Sequence, residues 1–229
     1  MQTEVEWFYA YDEKYSSTID MLGLEPIPAL VFYGNNKNSS VRRCPAHLDA
    51  LKNTYVICSP IDYEIEINKE NKWLNVKHPA KLPLNFVNPR FDEEGDSPYP
   101  MFSLSYGEIV FSAPSRDVWV EQVDPYLEWE RKNKVRIIGG TFNIHRWARP
   151  IQASFEQKEK NITFSIKRGD PLFYVRFNTG NPNDIIVLKK VAPSAKAVTD
   201  YQRNVTVKNF YPNASLSFLY KLRDKMLSR

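Results

Sequence analysis

A mainly β fold is what the sequence predicts: an antiparallel β-sandwich, or a β-clip or jelly-roll-like body, with one short internal helix and a helical C-terminal appendage. Three observations carry that expectation. From 54 to 191, short apolar runs are split by Pro, Gly and Asn about every eight to twelve residues, the spacing of a sandwich or partly closed barrel. Where a run alternates, it does so with period 2. Helical rhythm is confined to RRCPAHLDALKN (42–53) and to the stretch after 193.

Taken in order, VEWFYAY (5–11) and ALVFYG (29–34) read as strands, the second ending on Gly34 before the polar NNKNSS. In 42–53, Pro45 suits a first helical turn, and Ala46, Leu48, Ala50 and Leu51 favour a short helix. TYVICSP (54–60) is a strand stopped by Pro60. DYEIEIN (62–68) sets Tyr63, Ile65 and Ile67 against Asp62, Glu64 and Glu66, a half-buried strand with an acidic outer face. WLNVK (73–77) is its hairpin partner. The proline-rich 78–100 is a long connection; its Asp92, Glu93, Glu94 and Asp96 do not match an EF-hand calcium loop.

Strands resume at 101–114, where Ser-Tyr-Gly is placed to turn a hairpin, and at VWVEQV (118–123). PYLEWERKNK (125–134) reads as a helical turn. VRIIGG (135–140), TFNIHRWARPIQASFEQ (141–157), NITFSIK (161–167), PLFYVRFNT (171–179) and DIIVLKKV (184–191) complete a body spanning 1–193. In the appendage, 194–229, Leu216, Leu219, Leu222 and Met226 fall on one helical stripe, with Asn213 or Ser215 as its cap.

Composition narrows the function. Only Cys44 and Cys58 occur, so neither a disulfide scaffold nor a CxxC zinc site is expected, and both are read as buried reduced thiols. The chain opens MQTEVEWFYAYDEKY, without a basic and apolar leader, and no run approaches the roughly 18 apolar residues of a membrane span. A soluble cytoplasmic protein is expected, and the Asn-x-Ser/Thr triplets at Asn38, Asn161, Asn204 and Asn213 read as chance. The appendage holds seven Lys/Arg and two acids, 7 − 2 = +5; the net charge of +4 leaves −1 for the body. That asymmetry makes Lys221, Arg223, Lys225 and Arg229 candidate contacts to a protein or nucleic acid partner.

Two blocks carry a resemblance. RRCPAHLDALKNTYVICSPIDYEIEI (42–67) and FNIHRWARPIQASF with ITFSIKRGDPLFYVRF (142–177) are similar to an uncharacterised protein family of bacteria and their phages, classed only as a domain of unknown function. The wording of the chain resembles cyanophage products, which implies a host-cytoplasm or virion setting. The stretch 162–177 also resembles the late hairpin of β-clip proteins such as deoxyuridine triphosphatase and deoxycytidine triphosphate deaminase. The nucleotide-binding motifs of those enzymes are absent here, so the resemblance implies a hairpin shape and no nucleotide chemistry. Within it, Arg168-Gly169-Asp170 reads as a structural turn into a buried strand, with Gly169 at positive φ and Asp170 bonding local backbone.

One constellation points to catalysis. His47-Leu48-Asp49, distal His145 and Arg149 resemble the ligand order of iron(II)/2-oxoglutarate oxygenases, which implies His47, Asp49 and His145 on iron and Arg149 on the cosubstrate carboxylate. Serine and cysteine nucleophile motifs and phosphate loops are absent. Trp7, Trp73, Trp119, Trp129 and Trp147 would suit a carbohydrate-stacking platform only if they leave the core. The preferred expectation is a non-enzymatic structural or interaction module without a cofactor, phage-encoded, binding another macromolecule, most simply a protein or a second copy of itself, through aromatic sheet surface and basic tail.

Overall fold

The computed structural model describes residues 1–10, 24–34, 44–68, 73–77, 89–92, 101–125, 135–157, 161–192 and 195–227. Within them the protein is mainly β. The strands are β1 (Gln2–Tyr9), β2 (Ile27–Pro28), β3 (Thr54–Cys58), β4 (Tyr63–Asn68), β5 (Trp73–Lys77), β6 (Pro89–Asp92), β7 (Met101–Ser112), β8 (Trp119–Val123), β9 (Val135–Ile137), β10 (Thr141–Asn143), β11 (Pro150–Gln157), β12 (Asn161–Ile166), β13 (Pro171–Asn178) and β14 (Ile185–Lys190). The helices are α1 (Ala29–Gly34), α2 (Pro45–Leu51), α3 (Lys196–Phe210) and α4 (Leu216–Leu227).

The strands form three sheets. The first runs β14-β1-β7-β11-β9. Its twelve-residue β7 pairs with β11 along one edge and takes β6 (at Met101 to Leu104) and then β1 (at Ile109 to Ser112) along the other. The second runs β10-β8-β13-β3-β2, and the third β12-β4-β5. One core cluster draws on all three: Trp7, Phe111 and Phe155 from the first, Ile57, Val175 and Phe177 from the second, Ile65, Ile67 and Ile166 from the third. Phe111 and Phe177 meet edge-on across the sandwich at 5.1 Å, a favoured aromatic geometry.

Helices cover the outer faces. On the first sheet, Phe8 and Val110 point away from the main core and pack with Ala197 and Val198 of α3. On the second sheet, Tyr174 turns outward into a cluster with Ala29, Leu51, Val56 and Cys58, and its hydroxyl shares a hydrogen bond with that of Tyr33. β13 is therefore buried on both faces, which is why its sequence reads as one continuous apolar run.

Several expectations hold. β4 and β5 pair antiparallel, with Glu64 opposite Lys77. α2 begins at Pro45, and Asn53, at φ +56°, turns the chain out of it into β3. Ser215 caps α4, its Oγ accepting from the Phe218 N–H at 3.3 Å. Gly169 has φ +90°, and the Lys167 N–H donates to Asp170 Oδ2 at 2.8 Å.

Other expectations are corrected. ALVFYG is helix α1, not a strand: Ala29, Phe32 and Tyr33, at helical spacing, face the second sheet, while Leu30 and Val31 are exposed. Ser-Tyr-Gly at 105–107 does not turn; β7 continues through it with a shift of register against β11. The stretch 141–157 is two strands split by a turn, and the connection 78–100 contains β6. The sandwich is not wholly antiparallel, because β1 and β14 run parallel. Cys44 is exposed, and only Cys58 is buried. Of the helical turn expected over 125–134, residues 126–134 lie outside the described residues, as do the carboxylates Glu93, Glu94 and Asp96.

The β-clip-like hairpin is also corrected. β12 pairs with β4 in the third sheet, and β13 with β3 and β8 in the second. The two arms are a bent two-stranded ribbon, β3-β4 against β12-β13, that passes from one sheet to the other at a double corner, 59–62 and 167–170. The corners are tied together: Gly169 N–H to Ser59 O and Ser59 N–H to Asp170 O, both 2.8 Å, and Arg168 N–H to Asp62 Oδ1 at 2.6 Å. Arg168-Gly169-Asp170 is thus fixed at its backbone on both sides, as a structural turn requires.

Candidate functional site

The appendage meets the body along the segment that joins β10 to β11. Asn143 organises this segment. Its Oδ1 accepts the N–H groups of His145 and Arg146 at 3.0 and 2.9 Å, and its Nδ2 donates to Asp117 Oδ1 at 3.0 Å. The resulting turn buries Trp147 and Ala148 and sends Arg149 outward.

The helices read that turn from the other side. Asn143 N–H donates to Tyr220 Oη at 2.8 Å. Arg223 donates to the His145 carbonyl, and burial pushes its pKa down. Leu219 is buried between them in sequence. Asn204 of α3, 2% exposed, donates from Nδ2 to Ala148 O at 3.0 Å. A carbonyl only accepts, so this bond fixes the amide orientation and leaves Oδ1 without a hydrogen-bond partner among the described residues.

Two cavities adjoin along this seam. One, of about 250 Å³, has Trp147, Ala148, Val205, Leu216 and Leu219 as apolar walls, with Arg149, Asn204 and Lys208 among its polar lining. The other, of about 350 Å³, lies over Gly139, Gly140, Thr141 and Phe142 with Gln122 and Gln152. Arg149, Pro150 and Leu216 belong to both. The Arg149 guanidinium carbon sits 5.4 Å from the Phe142 ring centroid, a cation–π distance, and no carboxylate pairs with it among the described residues. Lys208 is committed instead, its ammonium donating to Pro212 O at 2.6 Å and Ala214 O at 3.3 Å.

The oxygenase constellation does not assemble. Among the described residues no group of three or more His, Cys, Asp and Glu side chains is placed to hold a metal ion, so His47, Asp49 and His145 form no ligand set. His47 lies on α2 at the outer face of the second sheet. His145 Nδ1 is 2.7 Å from Ala113 O and must therefore carry the ring proton. Of that set, Arg149 lines both seam cavities.

The tail candidates divide similarly. Lys221 and Lys225 are exposed, Arg223 is docked, and Arg229 lies outside the described residues. Of the tryptophan-platform candidates, Trp7 and Trp147 are core and Trp119 is exposed, while Trp129 and the Trp73 side chain lie outside the described residues. Three more exposed aromatics sit on the appendage: Phe210 is 77% exposed, Tyr211 45% and Phe218 44%, and the last two rings are 5.4 Å apart.

Sequence reasoning missed Gly139-Gly140 and Asn204. The paired glycines were a usable signal, since glycine in a strand-like run marks close backbone approach. Asn204 had none, because its role depends on a carbonyl 56 residues away. No family model, curated protein or solved structure matches this chain. No helix among the described residues is long and apolar enough to cross a membrane.

Proposed function

We propose that this chain is a non-enzymatic interaction module that holds a protein partner through its helical appendage. The observation that carries the reading is the exposed cluster of Phe210, Tyr211 and Phe218. These rings are exposed, whereas Ala197, Val198, Asn204 and Leu219 of the appendage are buried and Tyr220 and Arg223 bond the body. Exposed aromatics ringed by cations, here the exposed Lys221 and Lys225, are the composition of an interface centre with a charged rim. With a stretch that sums to +5, the complementary surface is apolar at its middle and acidic at its edge. The resemblance to a bacterial and phage family, with its virion or host-cytoplasm setting, belongs to the same reading.

A photo-crosslinking residue placed at Phe210, and another at exposed Thr163 as control, tests it in cells that make the full chain. The expected result is a discrete protein adduct at 210, absent at 163 and lost in the Lys221→Glu/Lys225→Glu chain. Absence of any adduct at 210 would overturn the reading. So would tight binding of a labelled DNA duplex whose affinity falls steeply with salt and disappears in the same double variant.

A further inference from the structure

The seam between body and appendage has the parts of a small-molecule site, independent of the aromatic cluster. We propose that it binds a carboxylate carried on a short apolar group, with the carboxylate at Arg149 and the apolar group against Trp147.

The anion end is the 350 Å³ cavity. Arg149 lies along its floor, guanidinium over Phe142, with no acidic partner among the described residues. Beside it are Gly139 and Gly140. Neither glycine N–H has a protein acceptor among the described residues, whereas the Gly140 carbonyl is used, taking the Gln122 N–H at 2.9 Å. Gly139 is also held by space: a Cβ there would stand 2.2 Å from Gln122 O. Two open backbone donors and one planar cation form a cradle for a single oxyanion. One uncommitted cation matches a monoanion, and Lys208 adds no second, since two carbonyls already claim it. A carboxylate fits this count; a phosphate dianion would be left half-neutralised.

The apolar end is the 250 Å³ cavity. Its walls are side chains from both the body and the appendage, so a ligand filling it also joins the two. Asn204 adds one demand: a nearly buried amide oxygen without a donor. A hydroxyl on the ligand's apolar group would answer it with a small side-chain adjustment. Together the cavities are of the size that encloses a compact ligand.

The test is a titration of the full chain with 3-(4-hydroxyphenyl)propionate, followed by amide and indole NMR shifts. Saturable shifts at the Gly139 and Gly140 amides and the Trp147 indole are expected. Arg149→Gln should weaken binding at least tenfold, Arg149→Lys less, and the uncharged propanamide analogue should also bind at least tenfold more weakly. Arg149 is exposed, so these variants are expected to fold, and their unchanged spectra elsewhere would show it; if they do not fold, the propanamide comparison on the unaltered chain decides alone. A tetrapeptide ending in Phe, with a free or amidated C-terminus, separates the two sources of such a carboxylate. Tighter binding of the free-acid peptide identifies a chain end, and tighter binding of the small acid a metabolite. No saturable shift up to about 10 mM, or equal affinity in Arg149→Gln, would overturn the site while leaving the appendage reading untouched.

Discussion

Three glycines separate backbone conformation from steric room. Gly169 has φ +90° and nothing within 4 Å of a Cβ built on it. Gly139 has no left-handed φ, but its Cβ would lie 2.2 Å from the Gln122 carbonyl oxygen. Gly140 has neither a left-handed φ nor a neighbour within 4 Å. Alanine at 169 therefore carries a pure backbone cost of about 1–2 kcal/mol, the penalty of a side chain in left-handed conformation. At 139 the clash is with backbone, and overpacking of that kind costs about 1–3 kcal/mol. At 140 alanine only narrows the unfolded ensemble, so it should be neutral or stabilise by roughly 0.4–1 kcal/mol.

Urea unfolding of the three variants measures these values, provided the slopes with denaturant stay equal. A chain of 229 residues shifts its melting point by roughly 2–4 °C per kcal/mol, so Gly169→Ala should melt about 2–8 °C lower. The loss has no easy escape. Relaxing φ at 169 moves its N–H off Ser59 O and strains the Ser59 N–H bond to Asp170 O, both now 2.8 Å. Equal stability of Gly169→Ala and Gly140→Ala would refute the account of the corner. A Gly139→Ala chain as stable as the unaltered protein would refute the close approach to Gln122.

Leu219→Ala removes a fully buried side chain; a loss of about 2–5 kcal/mol is expected, with hydrogen exchange faster in α4 than in β13. Alkaline titration is governed in part by Tyr201, whose pKa burial, and secondarily the Glu108 charge, push up to about 12. The stability it contributes is complete below an unfolded value of about 10 and is lost as pH rises from there through 12; Tyr201→Phe should flatten that limb of a stability–pH curve. Asp184 acts at the acid end. Its carboxylate is buried, accepts from Thr179 Oγ1 at 2.6 Å and pairs with Arg116 at 2.7 Å, and the Thr179 bond leads in holding its pKa down. Its contribution is present above the unfolded carboxylate value of about 4 and falls away below it, so Asp184→Asn should be less stable at neutral pH and lose less on acidification.

What was legible in the sequence was whatever a few neighbouring residues decide. Alternation fixed the faces of β4, Pro45 the start of α2, and Gly169 its turn. Ser215 and the stripe through Leu219 foretold α4. What escaped depends on distant partners. ALVFYG is apolar enough for either period, and only the outward Tyr174 decides for helix α1. β7 carries its Ser-Tyr-Gly stretch as an irregularity between two paired segments, since β11 pairs with it at 101–104 and again at 109–110. The parallel β1–β14 pair joins residues about 180 positions apart, Gln2 with Ile185, and no local pattern encodes it. For the same reason the seam was half visible: Arg149 was singled out, whereas the cavities beside it exist only once α3 and α4 lie against the β10–β11 turn.

The stretches 54–68 and 161–178 lie far apart in sequence, yet they are the two sides of one object. The first supplies β3, the corner 59–62 and β4; the second supplies β12, the corner 167–170 and β13. A two-stranded ribbon that changes sheets must interrupt its ladder on both strands at one level. Pro60 and Pro171 both lack an N–H and so give up no ladder donor there, while Gly169 supplies the backbone reversal. The bonds between Ser59, Gly169 and Asp170 restore pairing across the gap. Each corner is needed to satisfy the other's backbone, so a change that suits one strand alone leaves its partner with unpaired buried groups. The paired corners are therefore a requirement of the bend itself.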